Sequence, residues 1–179
     1  ILDMHCAPGG QNGGPISDSD GTARLWLEEE NKALTIQIWS EIADYYSEDT
    51  LIGGYDLINE PVLPSGVSLE EFKQLYIDIT DAIREVDNNH IVYIEGNWYG
   101  TDFSGLTPPW DDNMSYSFHK YWGETSLGTI QSYISMSNQY DIPLWMGESG
   151  ENSNHWYYEV FTLLEDNNIG WNFWTHKKV

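Results

Sequence analysis

The chain has 179 residues, enough for one domain with a substantial core. Its 29 acidic residues against 7 basic ones give a net charge of −22, which repels phosphate and so excludes nucleic acid and anionic membrane as partners while leaving a neutral polysaccharide compatible. A single cysteine, Cys6, excludes an internal disulfide and is expected as a small buried thiol at a strand end. No apolar run is long enough to span a bilayer, and the chain opens on Ile1-Leu2-Asp3-Met4-His5, which reads as a strand interior rather than a signal peptide.

Ile1–His5 is predicted as a strand, followed by a loop, Ala7 to Pro15, rich in Gly and Pro. That loop lacks both the Lys-Ser/Thr ending of a P-loop and the spacing of a dinucleotide fingerprint, which argues against nucleotide binding. Residues 23–46 carry a helical period with Leu25, Leu27, Leu34, Ile38, Trp39 and Ile42 on the apolar side and Glu28, Glu29 and Glu30 facing water. Residues 52–58 are a short apolar strand that delivers Asn59 and Glu60 to its carboxyl end, where Pro61, lacking an N–H, stops it. Ser68-Leu69-Glu70-Glu71 has the form of a capping box opening a helix with Phe72, Leu75, Ile79, Ile83 and Val86 inward.

His90–Ile94 is a further β-branched strand, and the stretch from Glu95 to Asp112 is a long loop with no helical period, of the kind that tends to be functional. Met114–His119 alternates as a strand, 127–140 is a weak helix, and Ile142–Glu148 repeats the earlier design, an apolar strand ending in a carboxylate before Ser149-Gly150. A helix over 155–166, with Trp156, Val160, Phe161 and Leu164 inward, and a strand over 169–174 complete the order. Alternation of strand and helix predicts a parallel sheet with helices outside, and in such folds the carboxyl ends of all strands share one face. The strand ends supply His5, Asn59, Glu60, His119, Tyr121, Glu148 and Trp174 to that face, and Trp98, Tyr99, Trp110 and Trp122 fall in loops where aromatic rings either pack or form sugar platforms.

Asn59-Glu60-Pro61 after an apolar strand, Asp3-Met4-His5-Cys6-Ala7-Pro8-Gly9-Gly10-Gln11-Asn12 and Gly147-Glu148-Ser149 together resemble glycoside hydrolase family five, the cellulase and endo-β-1,4-glucanase family of retaining barrel hydrolases, over nearly the whole chain. The resemblance implies an α/β fold, a partial (β/α)8 barrel occupying 1–179 as one catalytic domain, with strands three to eight present and the first two βα units and the last helix missing. It further implies retaining hydrolysis of β-glucan, with Glu60 as acid/base and Glu148 as nucleophile, a pair that needs a carboxyl separation of about 5–5.5 Å. Asn59 would bond the sugar 2-hydroxyl, Tyr121 would donate to Glu148, His5 and His119 would orient hydroxyls or the acid, and Trp174, Trp98 and Trp122 would offer ring faces.

No cofactor is expected, and without a HExxH segment, paired cysteines or a dense carboxylate loop no metal is expected either. The family's second-strand Arg, partner of the nucleophile, is among the missing parts, so weakened activity is expected unless another copy of the chain closes the cleft as a homo-oligomer. Secretion is an expectation from the resemblance alone. A β-mannanase or other β-glycanase on the same fold, and a catalytically weak carbohydrate-binding fragment, are the alternative readings.

Overall fold

Three short parallel strands carry the first of two units into which the chain divides, Ile1–Met114, and three more carry the second, from Ser115 onward; the computed structural model describes residues 1–175. In the first unit β1 (Leu2–Asp3) pairs with β2 (Gly54–Asp56), and β2 with β3 (Ile91–Glu95), with Leu2 opposite Tyr55 and Tyr55 opposite Val92. Tyr55, Leu57, Ile58, Val92 and Ile94 are wholly buried, as befits strands covered on both faces. Glycine is required at position 54, where a β-carbon would sit 2.2 Å from the Ile91 carbonyl oxygen.

Two helices, α1 (Glu29–Tyr46) and α2 (Leu69–Arg84), pack against one another in this unit. The expected capping box is present: the Ser68 hydroxyl accepts the Glu71 N–H (3.1 Å) while Glu71 Oε2 accepts the Ser68 N–H (2.8 Å). Phe72, Leu75, Ile79 and Ile83 are buried as predicted, whereas Val86 lies beyond the helix and is exposed. The first helix departs from its sequence reading. It begins at Glu29 after a separate 3-10 turn (Arg24–Trp26), its buried line is Thr35, Trp39 and Ala43, and Leu27 and Leu34 are exposed. Trp39 fixes that rotation by donating its indole N–H to the Leu57 carbonyl (2.8 Å), which turns the 35/39/43 line inward. Ile38 and Ile42, half-buried, line an apolar groove with Leu2 and Met4.

A polar knot closes the amino ends of these strands. Arg84 forks onto both oxygens of Asp111 (2.8 and 2.9 Å) and donates to the carbonyls of Asp87, His90 and Asn113. Asp87, buried, accepts from the Tyr55 hydroxyl (2.7 Å), from the backbone N–H groups of Asn89 and His90, and pairs with the His90 ring (2.5 Å). The long loop after β3 is more structured than its sequence suggests: α3 (Asn97–Gly100) is a single turn, and Asn97 bridges to Asp102. Trp110 belongs to this unit's packing, with its indole N–H on Thr80 Oγ1 (3.1 Å), its ring stacked on Tyr76 and Lys73 above it.

In the second unit β4 (Met114–His119), buried at every position, pairs in parallel with β5 (Leu144–Glu148), and β5 with β6 (Gly170–Trp171). The helices are α4 (Gln131–Tyr140), preceded by a separate 3-10 turn over Leu127–Thr129, and α5 (Asn154–Asp166), capped by the Ser153 hydroxyl on the Trp156 N–H. Phe118 stacks on Tyr133 (4.5 Å between centroids), and Phe161, half-buried, stacks on Trp171 (4.0 Å). Four strands are shorter than their apolar runs: at β2 burial continues where ladder pairing stops, since Leu57 and Ile58 are fully buried although the strand ends at Asp56, whereas β6 covers two residues of the six predicted and Asn172, Phe173 and Trp174 beyond it are exposed. No helix among the described residues is long and apolar enough to cross a membrane.

Candidate active site

At the carboxyl end of β2 the chain turns at once. Asn59 is buried and its backbone N–H donates to the Met4 carbonyl (3.1 Å), tying it to the end of the neighbouring strand. Its side-chain Oδ1 is buried with no hydrogen-bond partner among the described residues, an acceptor available to a ligand hydroxyl. Glu60 follows with φ of 49°, and its N–H donates to Glu95 Oε2 at the end of β3 (2.8 Å). Its carbonyl accepts from the Asn12 side chain (2.8 Å). His5 lies two residues beyond β1, half-buried, with Nε2 2.7 Å from Asp3 Oδ2. Cys6 corrects the sequence reading: it is exposed, and its thiol lies 3.8 Å from the Ile16 carbonyl, because the chain leaves β1 after Asp3 and carries residue 6 out of the sheet.

Trp98 and Tyr99 stand exposed on α3, their rings edge to face at 5.8 Å, and the Tyr99 N–H donates to the Pro61 carbonyl (3.2 Å), which ties this aromatic pair to the Glu60 turn. The same unit holds an acidic cluster, with Asp56 and Glu95 buried and Asp3 exposed. One oxygen from each of Asp3, Asp56 and Glu95 lies within 4.8 Å of the others, and burial together with the charges of Glu95, Asp56 and Asp3 pushes the Tyr76 phenol well above its ordinary value. The three oxygens are hard donors of the type calcium or magnesium takes. One Glu95 oxygen is already engaged by the Glu60 N–H, and acidic clusters are common without an ion, so this grouping is not assigned as a metal site.

The second unit presents its glutamate differently. Glu148 ends β5 with 6 % of its surface exposed, and Tyr121 donates its hydroxyl to Oε2 (2.5 Å). His119 Nδ1 lies 3.6 Å from the same oxygen. These groups meet because His119, at the end of β4, stands in register with Glu148 after an irregularity between Phe118 and His119, and the Lys120 N–H donates to the Glu148 carbonyl (3.1 Å). Gly147 is packed so closely that a β-carbon there would lie 2.4 Å from Ser117 Oγ and 3.2 Å from His119 Nε2. Asn152 donates to the Tyr121 carbonyl (2.7 Å), holding that residue from behind. Trp122, largely exposed, sits beside Tyr121 at 5.6 Å between ring centroids, and Trp174 is anchored by its N–H on the Ser149 carbonyl (2.8 Å) with its ring partly exposed.

Within the first unit the structure thus groups Asn59, Glu60 and the Trp98 turn, and within the second His119, Tyr121, Trp122 and Glu148. Sequence reasoning passed over Glu95 and Asn12, both in contact with the Glu60 backbone. A signal for Glu95 was present: Ile94-Glu95-Gly96 is a third apolar strand ending in a carboxylate before a glycine, the pattern that marked Glu148.

The family model described as Cellulase (glycosyl hydrolase family 5) matches residues 1–178. A beta-xylosidase of Phanerodontia chrysosporium is 36 % identical over 143 residues, covering 78 % of this chain and 29 % of the relative. Endoglucanase C of Acetivibrio thermocellus is 23 % identical over an alignment that covers all of this chain and 68 % of that one. Among solved structures, one described as a glycoside hydrolase superposes with a TM-score of 0.74 at 18 % identity, covering 98 % of this chain and 65 % of that one. Thermotoga maritima Cel5A, solved with a mannotriose substrate, gives 0.69 at 19 % identity, over 87 % of this chain and 62 % of that one. The chain therefore spans under a third of the first curated relative and under two thirds of these solved neighbours. Parallel strands alternating with helices, in this likeness, make the fold a partial (β/α)8 barrel, as predicted. On the match of its family model over residues 1–178, the chain belongs to glycosyl hydrolase family 5.

Proposed function

We propose that the chain carries the catalytic residues of a retaining endo-β-1,4-glucanase, with Glu148 as nucleophile and Glu60 as acid/base. The observation that carries this reading is the Tyr121 hydroxyl donated to Glu148 Oε2 with His119 Nδ1 at 3.6 Å. A hydrogen bond to the charged form of a carboxylate favours that form and fixes which oxygen remains available for attack. Glu60, by contrast, has the peptide groups on both sides of its α-carbon held, by Glu95 and Asn12, which fixes the origin from which its carboxyl group reaches.

In the proposed reaction Glu60 gives its proton to the glycosidic oxygen as the bond from that oxygen to the anomeric carbon breaks, and Glu148 closes on the anomeric carbon from the opposite face to form a glycosyl ester. Glu60, now a carboxylate, then takes a proton from water as the water oxygen displaces Glu148, which regenerates both groups and retains configuration. The buried, unpartnered Oδ1 of Asn59 is suited to accept the sugar 2-hydroxyl, a contact that strengthens as positive charge develops on the ring. Trp98, Trp122 and Trp174 supply exposed ring faces for sugar C–H surfaces, and His5 and His119 orient hydroxyls.

The polysaccharide substrate lies outside the cell in this reading, and a second copy of the chain closes the cleft. A β-mannan substrate is the second reading, favoured by the mannotriose complex of a structural neighbour. Incubation with dinitrophenyl 2-fluoro-β-cellobioside, whose fluorine slows the second step, tests the assignment. A cellobiosyl label on the peptide containing Glu148 is the expected result, and a label on another residue, or none while glucan still retards the protein in a gel, rejects it in favour of a binding fragment. Parallel hydrolysis of carboxymethylcellulose and mannan, with light scattering of the same sample, separates the two substrates and reports the second copy.

A further inference from the structure

Glu60 has a left-handed backbone, φ 49°, where the β-carbon of an L-residue crowds its own carbonyl and glycine is the usual occupant. Local sequence works against this conformation, since Pro61 biases its predecessor toward extended geometry. Such a backbone persists only where its surroundings over-determine it. The surroundings here are two buried side chains from different parts of the first unit. Glu95 Oε2 accepts the Glu60 N–H at 2.8 Å, and Asn12 Nδ2 donates to the Glu60 carbonyl at 2.8 Å, so the peptide groups on both sides of the Glu60 α-carbon are held.

Each clamp is itself anchored. Asn12, with no exposed surface, accepts the Gly14 N–H on Oδ1 (2.8 Å) and the Ser17 hydroxyl on its carbonyl (2.7 Å). Glu95, 1 % exposed, ends β3, and its carbonyl accepts the Tyr76 hydroxyl (3.0 Å). The chain beyond the turn is fixed as well, by the Val62 N–H on the Gln11 carbonyl (3.0 Å) and the Leu63 N–H on Asn97 Oδ1 (3.0 Å).

We propose that Glu95 and Asn12 are positioning residues that lock the Glu60 peptide in its left-handed form and thereby aim its carboxyl group at the leaving oxygen. The proposal rests on the acid/base reading of Glu60. Without either clamp the backbone relaxes toward the extended form that Pro61 favours, and the carboxyl group swings away from its proton-transfer position while the rest of the site is untouched. A misplacement of about 1 Å costs on the order of 10²-fold in rate, and it costs this only where proton transfer is needed.

The test compares phenyl and dinitrophenyl β-cellobiosides, the first a poor leaving group that needs the proton and the second a good one that does not. Glu95→Leu and Asn12→Ala are expected to lose about 10²-fold in kcat/KM on the phenyl glycoside and to stay within about 3-fold on the dinitrophenyl one. Glu95→Gln, which keeps an oxygen able to accept the Glu60 N–H, is expected to recover to within about 10-fold of the parent on the phenyl glycoside. Equal losses on both glycosides mean a general packing role and overturn the proposal. Glu60→Gln run alongside separates the two levels: if it shows no leaving-group dependence, the acid/base reading itself fails. The clamp has a readout independent of turnover, the hydrogen exchange of the Glu60 amide in the ¹⁵N-labelled chain. Exchange at least about 10-fold faster in Glu95→Leu, with the Phe72 amide of α2 unchanged, supports the clamp, and an unchanged Glu60 amide overturns it.

Discussion

The two units hold their strand-end glutamates by opposite means. Glu148 is gripped by its side chain, with a tyrosine hydroxyl and an imidazole turned toward one oxygen, and is nearly excluded from solvent. Glu60 is gripped by its backbone, on the N–H by Glu95 and on the carbonyl by Asn12, and is half-buried. A group that must stay charged and attack along one line benefits from a fixed side chain, whereas a group that must lose and regain a proton benefits from a fixed origin and an accessible carboxyl. The contrast extends to the framework. The first unit closes its strand bases with the Arg84–Asp111 and Tyr55–Asp87–His90 knot, while the second leans on aromatic stacking, Phe118 on Tyr133 and Phe161 on Trp171.

The largest effect is expected from Glu148→Gln, which removes the nucleophile: sugar release falls on the order of 10⁴-fold or more, about 5 kcal/mol of barrier, with the melting temperature preserved. Tyr121→Phe sharpens the comparison by loosening the side-chain grip alone, and a loss of about 10-fold in kcat with little change in KM is expected from steady-state kinetics. On the framework side, Arg84→Met removes the partner of a poorly exposed carboxylate and three carbonyl contacts together, and urea titration is expected to show a loss of about 3 kcal/mol. Tyr55→Phe deletes one buried donor to Asp87, for a loss of about 1.5 kcal/mol by the same titration.

The smallest effect is read from pH. The Arg84 guanidinium holds the Asp111 carboxyl below its ordinary value of 3.8. A depressed folded-state value means that Asp111 contributes stability above pH 3.8 and loses it as pH falls from there through the lower folded value. Stability measured by denaturant between pH 5 and pH 2 is expected to decline less steeply in Asp111→Asn than in the parent. An identical decline in both would mean that the ion pair adds nothing and that the carbonyl contacts alone make the knot.

Period and punctuation made much of this legible in the sequence. The helix at 69–84 was readable because its apolar residues recur at helical spacing behind a capping box, both of which are local properties. The first helix was misread on its inner face because Leu27 and Leu34 are as apolar as the residues that are buried, and the choice between faces is made by a tertiary bond, Trp39 to Leu57. Glu60, Glu148 and Tyr121 were readable as strand-end groups, and the Tyr121–Glu148 bond was expected. The parts of Asn12 and Glu95 were not: Ile94-Glu95-Gly96 repeats the strand-end carboxylate pattern, but that these two act on Glu60 is decided from 48 and 35 residues away, and nothing in the turn itself announces a left-handed backbone. Trp110 illustrates the remaining ambiguity, for a tryptophan in a loop after a strand has the composition of a sugar platform and here packs on Tyr76.

The crowding at Gly147 restricts how this framework can be retuned. A β-carbon there would meet Ser117 Oγ at 2.4 Å and His119 Nε2 at 3.2 Å, so any larger residue one step before Glu148 must displace the Ser117 hydroxyl and press on the imidazole beside that glutamate. Libraries aimed at new substrate preference should therefore spare 147 and diversify the solvent-facing turns that bear Trp98 and Trp122, where added bulk meets open space instead of the anchored end of a strand.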